Sequence, residues 1–174
     1  FGYKHQTQAS FLLLQVKDSE AARAWLGSVP VNSATSVEPP PETALQLALS
    51  CAGLQALGVA EDIVGAFSAE FVLGLGRDSS QARRLGDVGA NAPERWQWGS
   101  GQRVPHVLVM LYARPGRLAA FQQLIEAQCA NGFEILVTLS TSDMDGIEPF
   151  GFVDGISQPK LDWERTRAVR DQEQ

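Results

Sequence analysis

Ala9 to Val16 is an apolar run too short for an independent helix, which suits a buried strand. Asp18 or Ser19 stands where a helix cap belongs. Ala21, Ala22, Ala24, Trp25 and Leu26 then favour a short helix that Gly27 is expected to end. From Val29 to Glu42 the chain carries Pro30, Pro39, Pro40 and Pro41 among Ser, Thr and Asn, the composition of a loop entering an extended segment. Leu45, Leu47 and Leu49 next alternate with Ala44, Gln46, Ala48 and Ser50, and period two is the signature of a strand.

Cys51 to Leu57 reads as helix and stops at Gly58, and Ala60 to Leu75 reads as a second helical region with acidic residues early. Arg77 to Gly101 is the least regular stretch. It mixes Gly, Asp and Asn with Trp96 and Trp98, so a long connection that packs its indoles onto the body is expected. Val104 to Tyr112 resumes as a strand, Leu118, Phe121, Leu124, Ile125 and Cys129 fall at helical spacing with Gly132 as the stop, and Phe133 to Leu139 supplies a last strand rich in Ile, Val and Thr. Reduced to these elements, the order is β-α-β, a helical insertion, then β-α-β. Two such units predict an α+β fold, the ferredoxin-like split β-α-β sandwich, with an antiparallel sheet and helices on one face.

The 174 residues are 44% hydrophobic and 20% charged, the composition of a globular domain with its own core. A net charge of -6 disfavours a nucleic-acid backbone or an anionic membrane surface as partner. No stretch approaches the roughly 18 apolar residues that span a bilayer, and Phe1 to Val16 lacks the basic start and small-residue cleavage site of a signal peptide. The start at Phe1 suggests trimming, and the compartment is open. Cys51 and Cys129 lack C-x-x-C spacing, so buried thiols are expected rather than a zinc site or a covalent haem attachment.

Glu148-Pro149-Phe150-Gly151-Phe152-Val153-Asp154-Gly155-Ile156-Ser157-Gln158-Pro159 concentrates the candidate chemistry. Pro149 and Pro159 restrict φ at both ends, while Gly151 and Gly155 allow close approaches that a Cβ would block. Phe150, Phe152, Val153 and Ile156 surround Asp154 with apolar side chains, which favours a partly desolvated carboxylate. The plain alternative is an ordinary Asp-Gly turn.

The longer string resembles the distal loop of dye-decolorizing peroxidases, a haem enzyme family. Leu49 to Gly58 resembles that family's strand-to-helix segment, Phe71 to Asp87 its following helical stretch, and His106 to Val109 its third strand. The resemblance implies a haem-dependent peroxidase, an oxidoreductase using hydrogen peroxide and a bulky aromatic or dye-like electron donor. Asp154 would be the distal aspartate that assists O-O cleavage, and Gly155, Ile156 and Ser157 would contact the cofactor, haem b. Family members are about twice as long, and their proximal histidine and distal arginine belong to the second half. No metal ligand is therefore assigned to this chain, and the iron ligand is expected from a second polypeptide or from a C-terminal half of the same enzyme. The domain is drawn as residues 1-159, followed by a charged tail, 160-174, leading toward that half, so that a nicked or split enzyme or a fragment is expected.

Three other readings stay open. A non-catalytic ferredoxin-like module that binds a ligand or dimerises is compatible with the same pattern, because this fold serves many functions, and the oligomeric state is undetermined. Asp143 to Glu148 has acidic residues suited to calcium, yet an EF-hand counted from Asp143 would need Gly where Glu148 stands. Trp25, Trp96, Trp98, Trp163, Tyr3 and Tyr112 are candidate relays of oxidising equivalents, with core packing as the default.

Overall fold

A computed structural model of the chain describes residues 5-33 and 39-141. Phe1–Thr141 forms one compact unit, and Ser142–Gln174, a second unit, lies outside the described residues. The strands are β1 (Gln8–Val16), β2 (Thr43–Leu49), β3 (Val107–Ala113) and β4 (Phe133–Ser140). The helices are α1 (Ser19–Ser28), α2 (Cys51–Ala56), α3 (Glu61–Gly65), α4 (Ala69–Arg77), α5 (Ser79–Leu85) and α6 (Leu118–Cys129). Short 3-10 turns occupy Gly89–Asn91, Pro93–Arg95 and Gly101–Arg103.

The sheet order is β2-β3-β1-β4, with every neighbouring pair antiparallel. β1 and β2 flank β3 although α1 joins them, which is the split β-α-β arrangement expected from the pattern. Residues opposed across antiparallel strands share a face, so Leu12 with Val109, Leu14 with Val107 and Leu45 with Leu111 form one apolar layer. Ala22 and Trp25 of α1 and Ile125 and Cys129 of α6 pack with that layer in one buried cluster. Burying each of these leucines and valines contributes about 1.5-3 kcal/mol relative to exposure.

Gly132 fixes the depth of α1. A Cβ there would lie 2.5 Å from the Ala22 amide nitrogen, and the Gly132 carbonyl accepts hydrogen bonds from the amides of Lys17 and Asp18 at 3.0 and 3.2 Å. The backbone that ends one β-α unit is thus pressed against the helix of the other.

The structure revises several boundaries. α1 runs through Gly27 to Ser28, because the Val29 amide still donates to the Trp25 carbonyl at 2.9 Å and nothing crowds Gly27. Asp18 is its cap, its Oδ1 accepting from the Glu20 and Ala21 amides. The region expected as one helix from Ala60 to Leu75 is two, α3 and α4, with Ser68 capping the second. The stretch that composition alone leaves irregular contains α5, inside Phe71 to Asp87 where the family resemblance implies helix, and Asp78 caps it through the Ser80 and Gln81 amides at 2.8 and 3.2 Å. β3 starts at Val107, after His106.

Candidate functional site

β4 reaches the end of the sheet beside the start of β1. The Thr141 amide donates to the Ala9 carbonyl at 3.2 Å, and the Ala9 amide donates to Thr141 Oγ1 at 3.1 Å. Asp154, Gly155, Ile156 and Ser157, the whole run from Glu148 to Pro159, the acidic stretch Asp143 to Glu148 and the 159/160 boundary all lie outside the described residues, as do Tyr3 and Trp163. The described residues therefore bring none of the candidate distal residues together.

His5 is exposed near the start of the described chain. His106 is half-buried between β1 and β3. Its Nδ1 accepts the Val16 amide at 2.9 Å, which puts the proton of the neutral ring on Nε2. Burial lowers its pKa from the usual value near 6.5. The backbone around it is equally committed: its amide donates to Leu14 O at 2.8 Å and its carbonyl accepts from the Ser50 amide at 3.1 Å. His106 therefore joins β1, β3 and the start of α2. Spacing alone carried no signal of that role.

Among the described residues no group of three or more His, Cys, Asp or Glu could hold a metal ion. Cys51 and Cys129 are buried free thiols, as expected. Burial pushes the Cys129 thiol upward, the nearby Glu126 adding to the shift, and Cys129 Sγ donates to the Glu126 carbonyl at 3.5 Å. Trp25 is core, edge-on to Phe133 with centroids 5.5 Å apart, and Tyr112 stands edge-on to Phe11. The Trp96 indole donates to Asn91 O at 2.9 Å, whereas Trp98 is 38% exposed. No helix among the described residues is long and apolar enough to cross a membrane.

A cavity of about 320 Å³ opens within the insertion, between the start of α2, the middle of α4 and the Gly99–Val104 segment. Spacing did not identify it. The glycines at 74, 76, 99 and 101, which let main chain line its wall, were its only trace in the sequence.

The described unit is thus a ferredoxin-like α+β sandwich with a helical insertion. No family model matches the chain. Peroxidase 2 of Mycetinis scorodonius is 28% identical over 163 residues, covering 87% of this chain and 30% of that relative. A solved dye-decolorizing peroxidase in complex with 2,6-dimethoxyphenol superposes with a TM-score of 0.70 at 26% identity, covering 96% of this chain and 39% of that one. A fungal DyP-type peroxidase from Auricularia auricula-judae gives a TM-score of 0.70 at 25% identity, covering 91% and 36%. The chain resembles dye-decolorizing peroxidases over most of its length, and it spans about a third of theirs, less than the half expected from the resemblance.

Proposed function

We propose that this chain is the distal-side half of a haem-dependent peroxidase of the dye-decolorizing type, with hydrogen peroxide as oxidant and bulky aromatic molecules as electron donors. The observation that carries this reading is the G-F-V-D-G-I-S-Q-P string in a chain whose sequence and backbone both follow such peroxidases.

The described residues do not fit an iron ligand. His106 commits Nδ1 to a main-chain amide inside the sandwich, and His5 stands exposed and, among the described residues, belongs to no group of three or more His, Cys, Asp or Glu. Iron ligation is therefore assigned to a second polypeptide or a C-terminal half, and haem b is the form proposed. On this side the chemistry rests on Asp154. With haem bound and supplying the two electrons for O–O cleavage, its carboxylate would take a proton from hydrogen peroxide and return it to the departing oxygen, and Gly155, Ile156 and Ser157 would contact the cofactor. A carboxylate with a reference pKa near ~3.9 remains a usable base in mild acid, where an unperturbed histidine would be protonated. Activity on the acidic side follows.

An absorbance spectrum of the purified protein, taken with the intact mass of every chain present, tests the assembly. A Soret band with a second mass supports it, and a single mass without the band favours the binding or dimerisation module. Asp154→Asn in the haem-loaded protein is expected to keep the band and slow the peroxide-dependent step by about 10²-fold or more. Unchanged peroxide kinetics remove Asp154 from the mechanism.

A further inference from the structure

We infer that the outer edge of β4 pairs antiparallel with β4 of a second copy of this chain, about a twofold axis between Leu136 and Val137. The two edges of the sheet are finished differently. On β2 the place of a next strand is taken: the Leu45 amide donates to Asn32 Oδ1 at 2.8 Å, and the Asn32 amide donates to the Leu45 carbonyl at 3.0 Å. β4 has β1 on one side and no described strand on the other. The Thr141 amide points to β1, where it meets the Ala9 carbonyl, so by the alternation of an antiparallel ladder the main-chain groups of Thr138 and Ser140 point outward. They hydrogen-bond to no described residue. β4 also contains no proline, lysine or arginine of the kind that blunts an edge, and it leaves Ile135 40% and Leu139 38% exposed.

An irregularity inside β4 selects the occupant. Leu13 pairs with Val137 and Leu14 with Ile135, so Leu136 is an extra residue. It shifts the alternation: Phe133, Ile135, Thr138 and Ser140 lie on the face of Leu12 and Leu14, while Glu134, Val137 and Leu139 lie on the other. A regular strand added outside must leave Leu136 unmatched again, as β1 does. A second β4 brings its own extra residue, and the two offset each other. With the axis between Leu136 and Val137, Phe133 faces Ser140 of the partner copy and Ile135 faces its Thr138, so side chains of the same face meet along the whole strand.

Charge agrees with that arrangement. Glu134 is the one ionisable side chain of β4, and in this register it faces Leu139 of the partner copy. The two Glu134 carboxylates then stand at opposite ends of the pair, whereas parallel pairing would set them side by side. Each copy also covers part of the exposed Ile135 and Leu139 of the other. The surface is small, so a weak dimer is expected, with a dissociation constant on the order of 10 µM. It needs neither haem nor a second polypeptide, so its failure would leave the peroxidase reading standing.

Sedimentation of the full chain over a concentration series, with amide exchange read by NMR, tests the pairing. A monomer–dimer equilibrium is expected, with exchange at Thr138 and Ser140 slowing as the dimer forms. Leu139→Glu sets carboxylates face to face at two places in the dimer and should weaken it at least about tenfold, whereas Leu139→Lys meets Glu134 and should retain it. Both changes fall at an exposed position and should leave the melting temperature nearly unchanged. The unmodified chain decides the matter by itself if the variants fail to fold. A monomer at all concentrations up to about 1 mM, species larger than a dimer, or a dimer indifferent to Leu139→Glu overturns the inference. So does protection of the Thr138 and Ser140 amides in the dilute monomer, which would mean that another segment of the chain covers the edge.

Discussion

In the sandwich, Leu12, Leu14, Val107, Val109 and Leu111 are 0% exposed, whereas in the stretch between β2 and β3 Ile63 is 56%, Leu75 54% and Leu85 57% exposed. Both regions carry apolar side chains. Only the first has a sheet to organise them: each strand presents alternate residues to one layer, and two helices close it. The insertion instead winds through short helices and 3-10 turns punctuated by left-handed glycines at 58, 74, 86, 89, 99 and 101. Stability therefore belongs to the sandwich, and the insertion is free to hold a cavity, because small helices joined by glycines leave gaps that a continuous layer would fill.

The largest expected effect tests that division. Leu14→Ala should cost about 3-4 kcal/mol, through lost transfer energy and a cavity that the sheet backbone cannot close, while Phe67→Ala, at a side chain 48% exposed, should cost less than about 1 kcal/mol. Denaturant melts of the two variants against the parent measure the contrast. Similar losses at both positions would mean that the insertion shares in the core.

Gly53→Ala comes next, at the joint between the regions. A Cβ there would stand 2.0 Å from the His106 carbonyl oxygen, so α2 must lift off the start of β3. A loss of about 2-3 kcal/mol is expected, with hydrogen exchange rising in the insertion more than in β1.

His106 sharpens the comparison through pH. Burial lowers its pKa, so the folded protein holds the neutral ring where the unfolded chain would take up a proton. Its stabilisation is complete above the unfolded value near 6.5 and is lost as pH falls through the lower folded value. Protonation at Nδ1 would also turn the acceptor of the Val16 amide into a donor. His106→Gln should flatten this part of the stability-pH curve, and an unchanged slope below pH 6.5 would assign the acid sensitivity elsewhere.

The same division explains what could be read from residue order. Leu45, Leu47 and Leu49 betray β2 by period two, and Leu118, Phe121 and Ile125 betray α6 by helical spacing, because one face of each meets a continuous core. The insertion lacks such a face. Gly65 and Ser68 split one expected helix into two, and the Asp78 cap of α5 was hidden among Gly, Asp and Asn that suggested loop. For the candidate site, local composition marks Asp154 and its glycines as a stiff acidic loop, but that run lies outside the described residues. The bond between His106 Nδ1 and the Val16 amide and the cavity beside Gly74 depend on approaches between distant segments, which no local pattern encodes.

The smallest effect is a matched pair of helix caps. Asp18 and Asp78 each accept two amides at the start of a helix, so their local chemistry is alike, and replacing either by Ala removes about 1 kcal/mol of local stabilisation. What differs is the structure each helix belongs to. α1 is held against Gly132 and the buried layer, so its fraying must be paid by the whole sandwich, and Asp18→Ala should lower the global melting temperature by a few degrees. α5 has Leu85 exposed at its end and lies in the insertion, so Asp78→Ala should leave the global melt nearly unchanged and instead speed hydrogen exchange within Ser79–Leu85. Equal global losses from both caps would show that the two regions unfold as one cooperative unit.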